Sequence, residues 1–163
     1  MTSSPKIHTL GALRASGYAP QTISTEIRAN LIERLQSGDP LFEGIVGYDD
    51  TVLPDVQRAL LAGHSINLLG LRGQAKTRIA RGLTDLLDEW VPVLTGSPLP
   101  EDPMAPITEQ GRELVKKSGD ETPISWLHRS ARYVEKLATP DVSVADLIGD
   151  IDPIKAANEG LDY

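Results

Sequence analysis

The sequence has no cysteine and few aromatic residues. Without cysteine there are no disulfides and no thiolate metal sites, which fits a reducing compartment, and a cytoplasmic location is the expectation. Aromatic residues make up 4% of the chain, so aliphatic side chains must fill its interior. No apolar run approaches the length of a membrane span. The start, Met1-Thr2-Ser3-Ser4-Pro5-Lys6, lacks the apolar stretch of a signal peptide. His8, His64 and His128 are scattered singly, an arrangement that argues against a zinc site. Positive charge is also scarce, with 16 basic residues against 23 acidic and a net charge of −7. That balance argues against general nucleic-acid binding, which needs a broad basic face. At 163 residues the chain is long enough for one domain with a real core.

Against this background one stretch stands out, Gly70-Leu71-Arg72-Gly73-Gln74-Ala75-Lys76-Thr77. It follows the phosphate-loop pattern of Gly, four residues, Gly, Lys, and Ser or Thr, with Ala75 in place of the second fixed glycine. Ser65-Ile66-Asn67-Leu68-Leu69 before it reads as a short buried strand, and the residues from Thr77 onward read as a helix. A glycine-bearing loop between strand and helix aims backbone N–H groups at an anion, aided by the helix dipole. Lys76 would reach the β- and γ-phosphates, and the Thr77 hydroxyl would ligate Mg²⁺. The residue before the lysine is expected to take a helix-like φ, which alanine allows. From Gly70 to Gly82 there are four basic residues (Arg72, Lys76, Arg78, Arg81) and no acidic ones. A basic island in an acidic chain suits a discrete polyanion. The plainer alternative is an ordinary turn with a surface lysine and helix-surface arginines.

Residues 1–21 read as a loose lead-in, broken by Gly11, Gly17 and Pro20. A helix is expected over 24–36, capped by Ser24 or Thr25 and ended by Gly38, with Ile27, Leu31 and Leu35 at i+4 spacing. Gly44-Ile45-Val46-Gly47-Tyr48 is a short apolar patch. A second helix is expected over 51–62, with Pro54 in its first turn and Gly63 after it. The helix following the phosphate loop should run over 76–90, with Ile79, Leu83, Leu86, Leu87 and Trp90 on one face. Residues 91–106, rich in proline, read as a long connection. A weak helix over 109–117 and a stronger one over 123–138 follow. In the latter, Ile124, Leu127, Ala131, Val134 and Ala138 form an apolar seam, and Arg129, Arg132, Glu135 and Lys136 a solvated face. Residues 142–148 read as a strand, and Asp152-Pro153 as the opening of a short helix.

Half of a catalytic centre is legible. An NTPase also needs an acidic residue at the tip of a second buried strand. Leu86-Leu87-Asp88-Glu89 has the composition but is expected on the same helix as Lys76, so it cannot also be a strand tip beside the phosphates. Asp146-Leu147-Ile148-Gly149 resembles the Asp-x-x-Gly switch of GTPases, but no Asn-Lys-x-Asp motif accompanies it. No catalytic residue is therefore assigned. Either the chain is the N-terminal part of a longer ATPase, or it binds nucleotide without turning it over.

With the phosphate loop, Ile45-Val46-Gly47-Tyr48 and Asp146-Leu147-Ile148-Gly149-Asp150-Ile151-Asp152 in hand, the chain resembles the AAA+ ATPases of the magnesium-chelatase ATPase subunit and MoxR-like group. The resemblance covers about residues 24–163. It implies an α/β fold with a P-loop NTPase-type αβα (AAA+) core, incomplete in this chain, and a helical N-terminal lead-in. Residues 1–40 would form the lead-in and helix, and 41–163 the first part of the nucleotide-binding domain, truncated before Walker B. Strand 65–69 would then lack the neighbours that come later in the family's sequence and stand as an unpaired edge. By resemblance, Gly70, Gly73, Gln74, Ala75, Lys76 and Thr77 hold the phosphates of ATP, with Mg²⁺ on Thr77. Ile45, Val46 and Gly47 line the adenine side, with Tyr48 where the family usually has glutamine. The family works as homo-oligomeric rings that remodel a protein, often one with a von Willebrand A domain. Two rivals stay open. One is a non-catalytic interaction module using the 123–138 helix and the proline-rich loop, and the other is a GTPase-like switch.

Overall fold

The computed structural model describes residues 4–137 and 139–149. The chain divides into two compact units, one ending at Tyr133 and the other beginning at Val134. Both helices and strands are present, so the fold is mixed α/β. The described residues contain a single sheet, of two strands. No described helix is long and apolar enough to cross a membrane.

The first unit is built on two hydrophobic cores. The larger takes Leu31 from helix α2 (Ile23–Ser37), Leu53, Val56 and Leu60 from α3 (Val52–Leu61), and Ile79 from α4 (Lys76–Gly82). Leu41, Phe42 and Leu86 complete it. Thr22, rather than Ser24 or Thr25, caps α2, its hydroxyl accepting from the Thr25 amide at 3.2 Å. Gly38 ends it at φ 78°, a left-handed cap open to glycine. Pro54 lies in the first turn of α3, where its missing N–H costs no helix bond.

Residues 65–69 do not form the expected strand. Residues 64–70 carry no regular secondary structure and pair with no strand. Ile66 and Leu68 lean on the larger core, while Leu69 is 85% exposed.

The helix expected over 76–90 stops at Gly82. A 3₁₀ turn, Leu83–Leu86, follows it, and Leu87 is already extended at ψ 147°. Gly82 packs so closely on Phe42 that an added Cβ would sit 2.8 Å from the ring. The Asp88 amide donates to the buried Glu26 carboxylate at 2.7 Å instead of to a carbonyl one turn back. Leu86-Leu87-Asp88-Glu89 therefore does not share a helix with Lys76, and Trp90 opens a strand.

That strand, β1 (Trp90–Leu94), pairs antiparallel with β2 (Ile124–His128) in the register Trp90↔His128 to Leu94↔Ile124. The long connection expected from 91 thus begins only after Leu94, and the helix expected over 123–138 is absent. The backbone around 123 is claimed by the N-terminal segment. Ile124 donates to His8 O at 2.9 Å, Leu10 donates to Thr122 O at 2.9 Å, and Thr9 bridges Pro123. Pro92 is accommodated because β1 pairs with a strand on one side only, so its missing N–H falls on the outer edge. Residues 1–21 are not all loose. Helix α1 (Leu10–Ala15) buries Leu10 and Leu13 with Ile124 in the second core.

Helix α5 (Glu109–Ser118) forms as expected, capped by Thr108. Ahead of it, Glu101 is 4% exposed and fastens the loop. Burial opposes its ionisation. Hydrogen bonds from the Ser97 and Thr108 hydroxyls and the Thr108 and Ile107 amides outweigh that and hold its pKa at about 2. Residues 129–132 form a 3₁₀ turn whose face is not simply solvated, since Arg132 grips Glu26 with two bonds of 2.6 Å.

In the second unit, the expected strand over 142–148 is absent, and its last four residues form helix α6 (Ala145–Ile148). Its entry is set by Ser143 and Asp146. The Asp146 carboxylate accepts from the Ser143 amide at 2.9 Å and hydroxyl at 2.8 Å, and the Ser143 hydroxyl accepts from the Asp146 amide. Asp150, Asp152 and the helix expected from Asp152-Pro153 lie outside the described residues.

Candidate functional site

The segment 70–77 leaves the larger core and turns through solvent before α4 begins. Gly73 has φ 83° and Ala75 φ 54°, and Ala75 is the only non-glycine with positive φ among the described residues. The sign of φ therefore alternates from Gly73 through Lys76. Alternating handedness folds successive amides into a concave nest that attracts anions. Ala75 corrects the sequence reading, because it is left-handed and not helix-like. The conformation costs an L-residue about 1–2 kcal/mol. The fixed-glycine position thus keeps the backbone a glycine would favour.

Lys76 folds back across the loop. Its ammonium donates to Gly70 O at 2.8 Å and to Leu71 O at 2.5 Å. An ammonium has three donors, so one remains for a ligand. The Gln74 carboxamide oxygen accepts from the Leu71 amide at 2.8 Å and braces the same turn. Arg72, Gly73, Gln74, Ala75, Lys76, Thr77 and Arg78 surround a concavity of about 480 Å³. Thr77 is exposed in the first turn of α4. At seven residues α4 is short, so fixed amides and the lysine charge outweigh the helix dipole here.

The second segment singled out in the sequence lies against the first. The Tyr48 hydroxyl donates to Gln74 O at 3.4 Å, a long bond. Arg78 donates to Glu43 O at 3.3 Å and lies across Gly44, where an added Cβ would meet its guanidinium at 2.4 Å. Ile45 packs on the larger core, Val46 is 89% exposed, and Gly47 takes φ 83°. Arg78, which reads as a surface residue in the sequence, is thus the tether between segments 43–48 and 70–77. Its place in a stretch with four basic residues and no acidic ones was the only hint.

The acidic candidates take other roles. Asp88 accepts from Asn30 at 2.9 Å and from Gln21 at 3.2 Å, and so joins α2 to the approach of β1. Asp146 belongs to the second unit, where it pairs with Lys136 at 3.3 Å. Neither follows a strand. Comparison with protein-family models, curated proteins and solved structures finds no match to this chain.

Proposed function

We propose that residues 70–77 bind the phosphates of ATP, and that the chain is the ATP-binding portion of an AAA+ ATPase with a P-loop NTPase-type core. The alternating φ at Gly73–Lys76, with the Lys76 ammonium held over the loop and one donor free, carries this reading. The amides that turn inward would take the triphosphate oxygens, and Lys76 the β- and γ-phosphate charge. Thr77 would supply one hydroxyl ligand to Mg²⁺. Among the described residues no group of three or more His, Asp or Glu side chains could hold a metal. Ile45, Val46 and Gly47 would face the adenine, since the tether through Arg78 keeps them beside the loop. By resemblance to the magnesium-chelatase and MoxR-like group, the assembled protein would be a homo-oligomeric ring that remodels a partner, often one with a von Willebrand A domain. No described residue is assigned as water-activating base, so the chain alone is expected to bind ATP without efficient turnover.

Thermal unfolding with Mg-ATP tests the reading. A ligand at 100-fold its Kd stabilises by about 2.7 kcal/mol, or roughly 5–10 °C for a domain of this size. Lys76→Ala should lose that shift while melting normally without ligand. A wild-type protein indifferent to Mg-ATP would rule the reading out. Equal responses to ATP and GTP would favour the GTPase-like alternative. The rival interaction module loses its main element, because 124–128 is a strand and not part of a helix.

A further inference from the structure

Away from the loop, the first unit holds a cavity of about 550 Å³ between α2, the sheet and the 95–108 connection. The chain has only two tryptophans, and both, Trp90 and Trp126, line it together with Tyr18. In a protein whose aromatic content is 4%, that is a concentration of π surface in one place. The volume is in the range of small-molecule sites.

The charge in this cavity is one-sided. Glu26, Asp88 and Asp102 line it, and Arg132 is the sole basic residue to do so. Arg132 is consumed by Glu26, to which it gives both of its 2.6 Å bonds. Asp88 is bonded by the neutral amides of Asn30 and Gln21. Asp102 accepts from the Tyr18 hydroxyl at 2.6 Å and from the Met104 amide at 2.7 Å, again neutral donors. Neither Asp88 nor Asp102 has an ion-pair partner in contact among the described residues, and the lining carries three carboxylates against one guanidinium, whose charge Asp88 feels only at longer range. The Tyr18 phenol registers the resulting field. Its pKa is raised first by burial, then by the bond to Asp102 and the charges of Asp102, Glu26 and Asp88. The Trp90 indole N–H is buried and has no hydrogen-bond partner among the described residues, a donor that a hydroxyl oxygen on a ligand would satisfy.

We propose that this cavity binds a small organic cation of the alkylated-ammonium class. Aromatic faces attract such cations through their quadrupoles, and Asp88 and Asp102 add net charge. Val91, Pro92 and Pro100 offer apolar contact for alkyl groups. The oxygens of Asp88 and Asp102 already accept hydrogen bonds, so they attract by charge more than by offering a free acceptor. A quaternary ammonium has no N–H and is held by charge and apolar contact alone, which is what this lining offers most of. The site does not depend on the reading of the phosphate loop, whose residues do not line it.

Because both tryptophans line the cavity, no tryptophan elsewhere dilutes an emission change on binding there. The test is titration of the full chain with choline, and with the neutral isostere 3,3-dimethyl-1-butanol, at matched ionic strength. Choline should change the emission saturably, at about tenfold lower concentration than the alcohol. Asp88→Asn with Asp102→Asn should weaken choline about tenfold and leave the response to the alcohol unchanged, with circular dichroism confirming the fold. If the double variant misfolds, Asp88→Asn alone carries the comparison. No saturable change with choline, equal potency of the alcohol, or undiminished choline binding by the folded charge-neutral variant would each overturn the proposal.

Discussion

Ala75 holds a left-handed backbone at φ 54° with a methyl group that disfavours it. Replacement by glycine removes the steric cost of about 1–2 kcal/mol and adds somewhat less in unfolded-chain entropy. Ala75→Gly should therefore stabilise by about 0.5–1 kcal/mol in urea denaturation. A destabilised Ala75→Gly would mean that the residue does not hold this conformation. Glu101 is the other residue whose environment makes a sharp claim. Its folded pKa of about 2 lies below the ordinary 4.5. A depressed carboxylate contributes stability that is complete above the unfolded pKa and lost as pH falls through the folded one. The window is therefore between about pH 4.5 and pH 2. Glu101→Gln should destabilise by about 2–3 kcal/mol at neutral pH and flatten the acid limb in that window. An acid limb identical to wild type would contradict the four-bond arrangement.

Elements that announce themselves through caps and helical spacing were legible, and those made by distant partners were not. Helices α2 and α3 carry their own signals in Gly38 and in Pro54, whereas the caps Thr22 of α2 and Thr108 of α5 were not read from the sequence. The loop at 70–77 was legible as a motif, but its left-handed Ala75 was not, because one residue's φ is set by how the whole turn closes. The sheet was missed for a different reason. Ile124, Leu127 and Ala131 fit helical spacing as well as Ile124 and Trp126 fit alternation, and a five-residue strand is too short to decide between them. What decides is the pairing with residues 8–10 and 90–94, thirty positions away at the nearest. The same blindness made α1 look like a lead-in. Its burial is testable, since Leu10 is 0% exposed against Ile124. Leu10→Ala should cost about 2–5 kcal/mol by chemical denaturation. A cost near zero would return residues 1–21 to the status of a tail.

Across the first unit, two cores share one chain and are joined by a small number of polar ties. The larger core is helical and the second holds the sheet and α1. Glu26, on α2, is 2% exposed and receives both Arg132, from the turn after β2, and the Asp88 amide. This buried pair therefore connects the helical core to the sheet at the sheet's open end. Removing one partner of such a pair strands the other as an uncompensated buried charge, at about 3–5 kcal/mol. Arg132→Ala should lower stability by that amount, and it should also change how the unit unfolds. Both tryptophans lie on the sheet, while most helical signal comes from α2 and α3. In the wild type the fluorescence and far-ultraviolet transitions should coincide, as cooperative unfolding requires. In Arg132→Ala the fluorescence transition should come first, because the sheet loses its tie to the larger core. Replacing both Glu26 and Arg132 by apolar residues of similar size should restore coincidence and most of the stability, since no charge is then left buried. If both signals move together in the single variant, the pair stabilises the unit as a whole and does not couple one core to the other.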